Sequence, residues 1–428
     1  MIKLLISILF IFLTSNSWSL DVDYTIRSTI ENNAKVKIGL EKLIENKELI
    51  EKAIGSKLPT ITGTISGTYS KSELDSKTST TTPEKFTDLY KITITQNLYD
   101  AGYNDLEIER SKILYNNEVI NFQITIQDLV LDAITGYLTV LNYEKTLKST
   151  KKNFEFVSKA LEETKTKYDL GSSTLYELQN AESLYAIANA NLFSAEQNYE
   201  ISKKTFKRIS SLEAINLEEM IDIDQNITFD KSLDLAMNNN LNLIIIENSI
   251  KNNEILLLKE KKTKLPSLDL STSAEYSDSG RIDDGTETTK GSISLTLTIP
   301  LYQQSIDDSN IRKYHSKILQ DELNYEDNKA DLQIQISNTL KDFNISEIKM
   351  KSNLTVIKAS ETAIKSLKEE YSLGTKTITD IIEEESNLLQ ARVNYFNSKT
   401  DFLVNYFKIK SLEGTLLNDF KNYLPSIN

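Results

Sequence analysis

One turn occurs twice in this chain, and its two copies constrain everything between them. Tyr168-Asp169-Leu170-Gly171-Ser172-Ser173-Thr174-Leu175-Tyr176-Glu177 and Tyr371-Ser372-Leu373-Gly374-Thr375-Lys376-Thr377-Ile378-Thr379-Asp380 share the pattern Tyr-x-Leu-Gly-(Ser/Thr)-x-Thr-(apolar)-x-(acid), 203 residues apart. Gly171 and Gly374 suit the left-handed residue that ends a helix. Thr174 and Thr377 each precede an acid by three positions, the spacing of a capping box that starts the next helix. Long periodic segments flank both turns, so each reads as the tip of an antiparallel helical hairpin. A repeat of this length means one fold built twice rather than several unrelated domains.

The segments before the tips repeat as well. Leu58-Pro59 opens an alternating Thr/Ile stretch that predicts a strand over about 58–70, and Leu265-Pro266 opens its counterpart over about 265–277, 207 residues on. A second strand, about 89–99, puts Ile92, Ile94 and Leu98 on one face and Lys91, Thr93 and Thr95 on the other. Its counterpart, about 291–302, alternates Ile293, Leu295, Leu297, Ile299 and Leu301 with Ser292, Ser294, Thr296 and Thr298, offset by 203. The smaller offset shortens the loop between the strands of the second copy. In the first copy that loop, residues 71–88 with Pro83, reads as polar.

Helices fill the rest. Ile30, Ala34, Val36, Leu40, Leu43, Ile44 and Ile50 predict an amphipathic helix from about Ile30 to Ile54. Ile126, Val130, Ala133, Tyr137, Val140 and Leu147 mark a seam in a helix that reaches the first tip. Tyr99 lies 69 residues before Tyr168, and Tyr302 lies 69 before Tyr371, although the intervening letters diverge. At a rise of about 1.5 Å per residue that is roughly 100 Å of helix, so reach is what the two copies preserve. The expected organisation is a leader over 1–19, a first repeat over 20–209 with its tip at 168–177, an acidic connector over 210–232, and a second repeat over 233–428 with its tip at 371–380.

Composition removes several function classes. Hydrophobic residues at 39% and charged residues at 26% exclude both disorder and a bundle of membrane helices. A net charge of −13 argues against nucleic-acid binding. With no Cys the chain has no disulfide, no thiolate metal site and no cysteine for a lipid. One histidine, His315, and no glycine-rich phosphate loop leave no catalytic kit and no cofactor or metal site to assign; His315 reads as a surface residue. Lys3, the apolar run Leu4–Leu13 and the small residues Ser17 and Ser19 form the layout of a cleavable export signal. No later stretch reaches the ~20 apolar residues of a membrane-spanning helix, so insertion into a membrane would have to use strands. Four strands with one apolar face cannot close a barrel, and lipid does not tolerate open sheet edges, so several chains would have to pool their strands.

Taken together, Leu58-Pro59 and Leu265-Pro266, the closing motifs Gln96-Asn97-Leu98-Tyr99-Asp100-Ala101-Gly102 and Ile299-Pro300-Leu301-Tyr302, and the two Tyr-x-Leu-Gly tips make the chain resemble the outer-membrane factor, or TolC, family of export channels. Gln304 and Ser305 stand where the family's second closing motif usually has a glycine pair. The resemblance implies a mainly α fold with a membrane β-barrel portion: two tandem repeats of helix, two strands and a long helical hairpin. It also implies a homotrimer with a twelve-stranded barrel in the outer membrane and a helical tunnel in the periplasm. Its partners would be a periplasmic adaptor protein, an inner-membrane pump and outer-membrane lipid, in tripartite efflux or type I secretion.

From the residues alone, Asp380 reads as a helix cap and Glu383 as part of the solvated run Glu383-Glu384-Glu385. The resemblance implies instead that Asp380 and Glu383, one turn apart, form an acidic ring at the periplasmic mouth. By the same matching, Tyr371, Lys376, Tyr176 and Glu177 would tie the inner hairpin to the outer one and hold that mouth shut. A coiled-coil periplasmic adaptor or structural protein is the competing reading, but such a protein has no need of two strand pairs with one lipid-compatible face.

Overall fold

A computed structural model of the chain describes residues 20–71, 74–76, 79–81, 84–219, 223, 227–279 and 286–425. The predicted leader, residues 1–19, lies outside them. In chain order the elements are α1 (Val22–Asn32), α2 (Ala34–Gly55), β1 (Thr60–Lys71), β2 (Leu74–Ser76), β3 (Ser79–Thr81), β4 (Glu84–Tyr99), α3 (Tyr103–Asp169) and α4 (Leu175–Ser210). The second half continues with α5 (Phe229–Asn239), α6 (Leu241–Lys262), β5 (Ser267–Asp278), β6 (Glu287–Thr298), α7 (Ile306–Ser372) and α8 (Ile378–Leu412), followed by two short 3-10 turns. Apart from β2 and β3, the described elements of the first copy each have a counterpart in the second. Both α3 and α7 contain 67 residues, the equality that the tyrosine spacing predicts.

Two compact units divide the chain, and neither is a repeat. One comprises residues up to Lys37, Ile124–Asn240 and Asp331 onward; the other comprises Ile38–Gln123 and Leu241–Ala330. Each draws on both copies.

In the second unit the four long strands form a single antiparallel sheet in the order β1-β4-β5-β6, so the two copies meet at β4 and β5. Alternation sorts the sheet into two faces. Across the strands one face carries the rows Ile61–Ile94–Thr272–Ile293 and Ile65–Tyr90–Tyr276–Thr289. The other carries Thr62–Thr93–Ser273–Ser292 and Thr64–Lys91–Glu275–Lys290. The apolar face is bare: Ile65 and Ile293 are each 79% exposed. Hydroxyl pairs knit the polar face, Thr60 with Thr95 at 2.7 Å and Ser273 with Ser292 at 2.9 Å. β1 and β6 are the edges, each 12 residues long. The expected polar loop over 71–88 is shorter than its composition suggests. Pairing runs on to Lys71 and Glu84, whose side chains meet at 2.6 Å, and a small hairpin of β2 with β3 occupies part of the remainder.

The corners after β4 and β6 resolve the question raised by Gln304 and Ser305. Ala101 and Gly102 turn the first corner with φ of 57° and 84°, and Gln304 and Ser305 turn the second with φ of 52° and 58°. The same left-handed pair is made without any glycine, which strains side chains bearing a Cβ. At the first corner Asp100 also caps α3, accepting from the Gly102 and Asn104 amides at 2.9 Å each.

In the first unit the core follows the predicted seam. Ile126, Val130, Ala133, Ile134, Tyr137 and Val140 are all within 2% of full burial, and the Tyr137 ring tilts against Phe206 of α4 with centroids 6.3 Å apart. One 18-residue window of α3 is long and apolar enough to cross a membrane by length and composition, contrary to the expectation that none exists beyond the leader. More than half of that window is buried inside the fold, because its apolar residues serve the helix seam. The single helix predicted over 30–54 is also two helices. Asn33 adopts an extended backbone between α1 and α2, and its side-chain amide donates to the Ile209 carbonyl at 3.3 Å; in the second copy Asn240 donates to the Leu412 carbonyl at 3.0 Å. Glu218 and Glu219, in the described part of the segment expected as a connector, contact the helices. The Tyr137 hydroxyl sits 2.7 Å from both the Leu20 and Glu218 carbonyls, and Glu219 pairs with Lys145 of α3 and, at 3.0 Å, with Lys399 of α8. The two lysines hold the Glu219 carboxyl down to about 2.

Relieving the second corner should stabilise the protein. Ser305→Gly is expected to add about 1 kcal/mol, read as an upward shift in the chemical denaturation midpoint, whereas Gly102→Ala should cost a similar amount.

Candidate functional site

Both hairpin tips form as the sequence dictates. Gly171 (φ 74°) and Gly374 (φ 77°) close their helices, with the amides of Ser172 and Thr375 bonding back to the carbonyls of Lys167 at 2.8 Å and Glu370 at 3.0 Å. The following helices start with complete capping boxes. Glu177 accepts from the Thr174 amide at 3.0 Å while its own amide donates to the Thr174 hydroxyl, and Asp380 and Thr377 do the same at 2.8 and 3.3 Å. These reciprocal bonds satisfy amides that have no partner within the helix.

The first turns of α8 are anchored by apolar side chains. Ile382 is fully buried and packs with Val157, Ala160 and Ala188, flanked by Ile378, Phe154 and Tyr185. Ile378, Ile381 and Ile382 form one stripe at helical spacing, which turns Asp380 and Glu383 to the opposite side of α8. Glu383 is exposed and Asp380 half-buried. Asp380 is a cap in fact as well as in spacing: its carboxyl is held below the ordinary range first by the Thr377 amide and then by the Thr377 hydroxyl, with Lys376 3.8 Å away. Of the remaining acids in the run, Glu385 faces back and pairs with Lys368 at 3.1 Å.

The four residues matched to a lock do not meet one another within this chain. Tyr371 reaches α3 instead. Its hydroxyl donates to Glu163, receives Lys167, and its ring lies under the Lys167 ammonium at 4.6 Å. Lys167 and Glu163 pair at 2.9 Å. Glu177 is occupied by its capping box and by the Ser173 hydroxyl at 2.6 Å, Lys376 stays beside Asp380 on its own tip, and Tyr176 is 77% exposed. The second hairpin is thus tied to the first through Glu163 and Lys167, a carboxylate and an ammonium that the motif comparison did not select. Their spacing of four on the last turns of α3 was visible as a helical ion pair. That they face Tyr371 was not.

Residues 28–210 match the family model for outer membrane efflux proteins. The chain is 22% identical over 313 residues to the outer membrane protein TolC of Escherichia coli K12, an alignment covering 69% of this chain and 63% of TolC, slightly under two thirds of that relative. Its fold superposes on the CmeC outer membrane channel of Campylobacter jejuni with a TM-score of 0.81 and 15% identity, covering 94% of this chain and 89% of the other. Over its first repeat the chain is similar to the outer membrane efflux proteins. VceC, an outer membrane protein of Vibrio cholerae, superposes with a TM-score of 0.76 at 13% identity, over 92% of this chain and 96% of VceC. The proteins that this family model describes are transporters rather than enzymes, and the superpositions extend over both copies of the repeat.

The Tyr371 contact titrates. The Glu163 carboxyl sits below its ordinary 4.5, first through the Tyr371 hydroxyl and then through Lys167. A depressed carboxylate stabilises the fold fully above its ordinary value, and that stability is lost as pH falls through the lowered one. Amide exchange around 163–171 and 371 should therefore quicken as pH drops below about 4.5, and Glu163→Gln should abolish this acid-side change. At this degree of exposure the effect is at most about 1 kcal/mol.

Proposed function

We propose that the protein is the outer-membrane channel of an efflux or type I secretion system, a homotrimer whose chains each give four strands to one barrel of twelve. The observation that carries this reading is the sheet. Its apolar face is largely exposed, its polar face is lined with hydroxyls, and two edge strands of equal length are left unpaired. β1 and β6 run antiparallel, so β6 of one chain continues onto β1 of the next without a change of pattern. Closure places the isoleucines against lipid and the threonines and serines around an aqueous lumen. The apolar window of α3 is more than half buried in the fold, which favours the strands as the membrane-inserting surface.

Beyond the barrel, the 67-residue helices supply a tunnel through the periplasm, with an adaptor protein and an inner-membrane pump as partners at the tips. Asp380 and Glu383, turned away from the stripe that anchors α8, face the axis and ring the mouth with six carboxylates, which draw cations and resist each other's approach. Tyr371 with Glu163 and Lys167 holds the second hairpin inward. Contacts this exposed are worth only about 0–1 kcal/mol each, so this polar tie adds little to the apolar anchoring of α8 that a docked partner must overcome in opening the mouth.

Heat-resistant trimers in the detergent-extracted outer membrane, conducting ions in planar bilayers, are the expected result; a monomer that stays soluble without detergent would overturn the reading. In those bilayers Asp380→Asn with Glu383→Gln should weaken cation preference and block by multivalent cations, and persistent block would rule out the acidic ring. Tyr371→Phe with Glu163→Ala should raise conductance, an outcome that unchanged conductance would reject.

A further inference from the structure

The polar face of the sheet carries five charged residues, and three of them share one row. Register puts Lys91 opposite Glu275 and Glu275 opposite Lys290, on three adjacent strands, with Thr64 completing the row on β1. Lys91 and Glu275 pair at 3.7 Å, with side chains 37% and 26% exposed. Among the described residues Lys290 has no carboxylate at ion-pair distance, so the row holds one positive charge that nothing on this face cancels. The other two charges are Lys85, farther along β4, and Asp269, whose carboxylate accepts from the Asn97 amide at 2.8 Å.

Two residues along the strands, Thr62, Thr93, Ser273 and Ser292 form a row of hydroxyls with no charge of its own. Hydroxyl hydrogens beside an ammonium pair are a donor-rich lining, the chemistry that recognises oxyanions. The ammonium groups stand on strands two apart, about 10 Å between backbones, close enough for one multivalent anion to feel both.

We propose that Lys91 and Lys290, bracketing Glu275, form an anion-binding row on the lumen wall of the barrel. This inference rests on the channel reading, which makes the polar face a lumen. The chain as a whole is acidic, with a net charge of −13. A positive row inside an acidic conduit gives anionic cargo a foothold in the membrane-embedded segment, where low-dielectric walls focus the field. Glu275 limits its strength by neutralising one of the two lysines, so that anions enter and also leave.

The test uses the full chain in planar bilayers with inorganic pyrophosphate as the probe. Pyrophosphate is expected to block the wild-type channel, roughly tenfold less in Lys91→Gln/Lys290→Gln, and more strongly in Glu275→Gln. The reversal potential in a KCl gradient should move toward cations in the lysine variant and toward anions in Glu275→Gln. Should the double variant not assemble, Lys290→Gln alone, which breaks no ion pair, carries the same expectation. Equal block in wild type and lysine variants, or a conducting wild type indifferent to pyrophosphate, overturns the anion row and leaves the channel standing. A wild-type protein that does not conduct removes both.

Discussion

An antiparallel sheet with one oily face and two open edges cannot be at rest alone. Each edge strand presents a ladder of unpaired amides and carbonyls, tolerable in water and expensive in hydrocarbon. In the proposed channel the apolar face meets lipid while the edges cannot, and closure satisfies both. Strand number then becomes an assembly instruction. Four per chain is too few for a pore, and the outer strands match in length and oppose in direction, as the proposed closure with further copies requires.

The helical half obeys a different constraint, that of length. α3 and α7 each hold 67 residues although their sequences have drifted apart, and each begins at a left-handed corner and ends at a left-handed turn. The corner after β6 keeps that geometry without a glycine, accepting strain at Gln304 and Ser305 rather than moving the helix start. Geometry has outlasted the residue best suited to make it. The same is true at the end of α4, where Ser211 adopts the conformation that Gly414 supplies at the end of α8. There the glycine is enforced, because a Cβ at Gly414 would overlap the Asn239 carbonyl.

At the tips, strong local chemistry and weak long-range chemistry sit side by side. The capping boxes and the Schellman-type closures are short-range and fully satisfied, and they make each tip a stiff unit. The polar link between the hairpins is one tyrosine hydroxyl on an exposed ion pair, beside the apolar packing of Ile382 against Val157, Ala160 and Ala188.

Much of this was legible in the letters, for a physical reason. Tip turns, caps and strand alternation arise from interactions within a few residues, so Thr174 with Glu177, Thr377 with Asp380, and the faces of β1, β4, β5 and β6 could be read directly. Duplication added a ruler, and the ruler predicted equal helices. What the letters left open depends on which surfaces meet. The break at Asn33 requires the Ile209 carbonyl, the apolar window of α3 is concealed by its neighbours, and Tyr371 finds Glu163 and Lys167 because α3 passes beside it while Glu177 is already engaged in its own cap. The row of Lys91, Glu275 and Lys290 exists only once the register of three strands from two copies is set. The sequence by itself determined periodicity, length and local closure, which neighbouring residues decide among themselves. Tertiary structure alone decided the partners of Tyr371, Asn33 and Glu275, because those partners lie far away along the chain and are brought near only by packing.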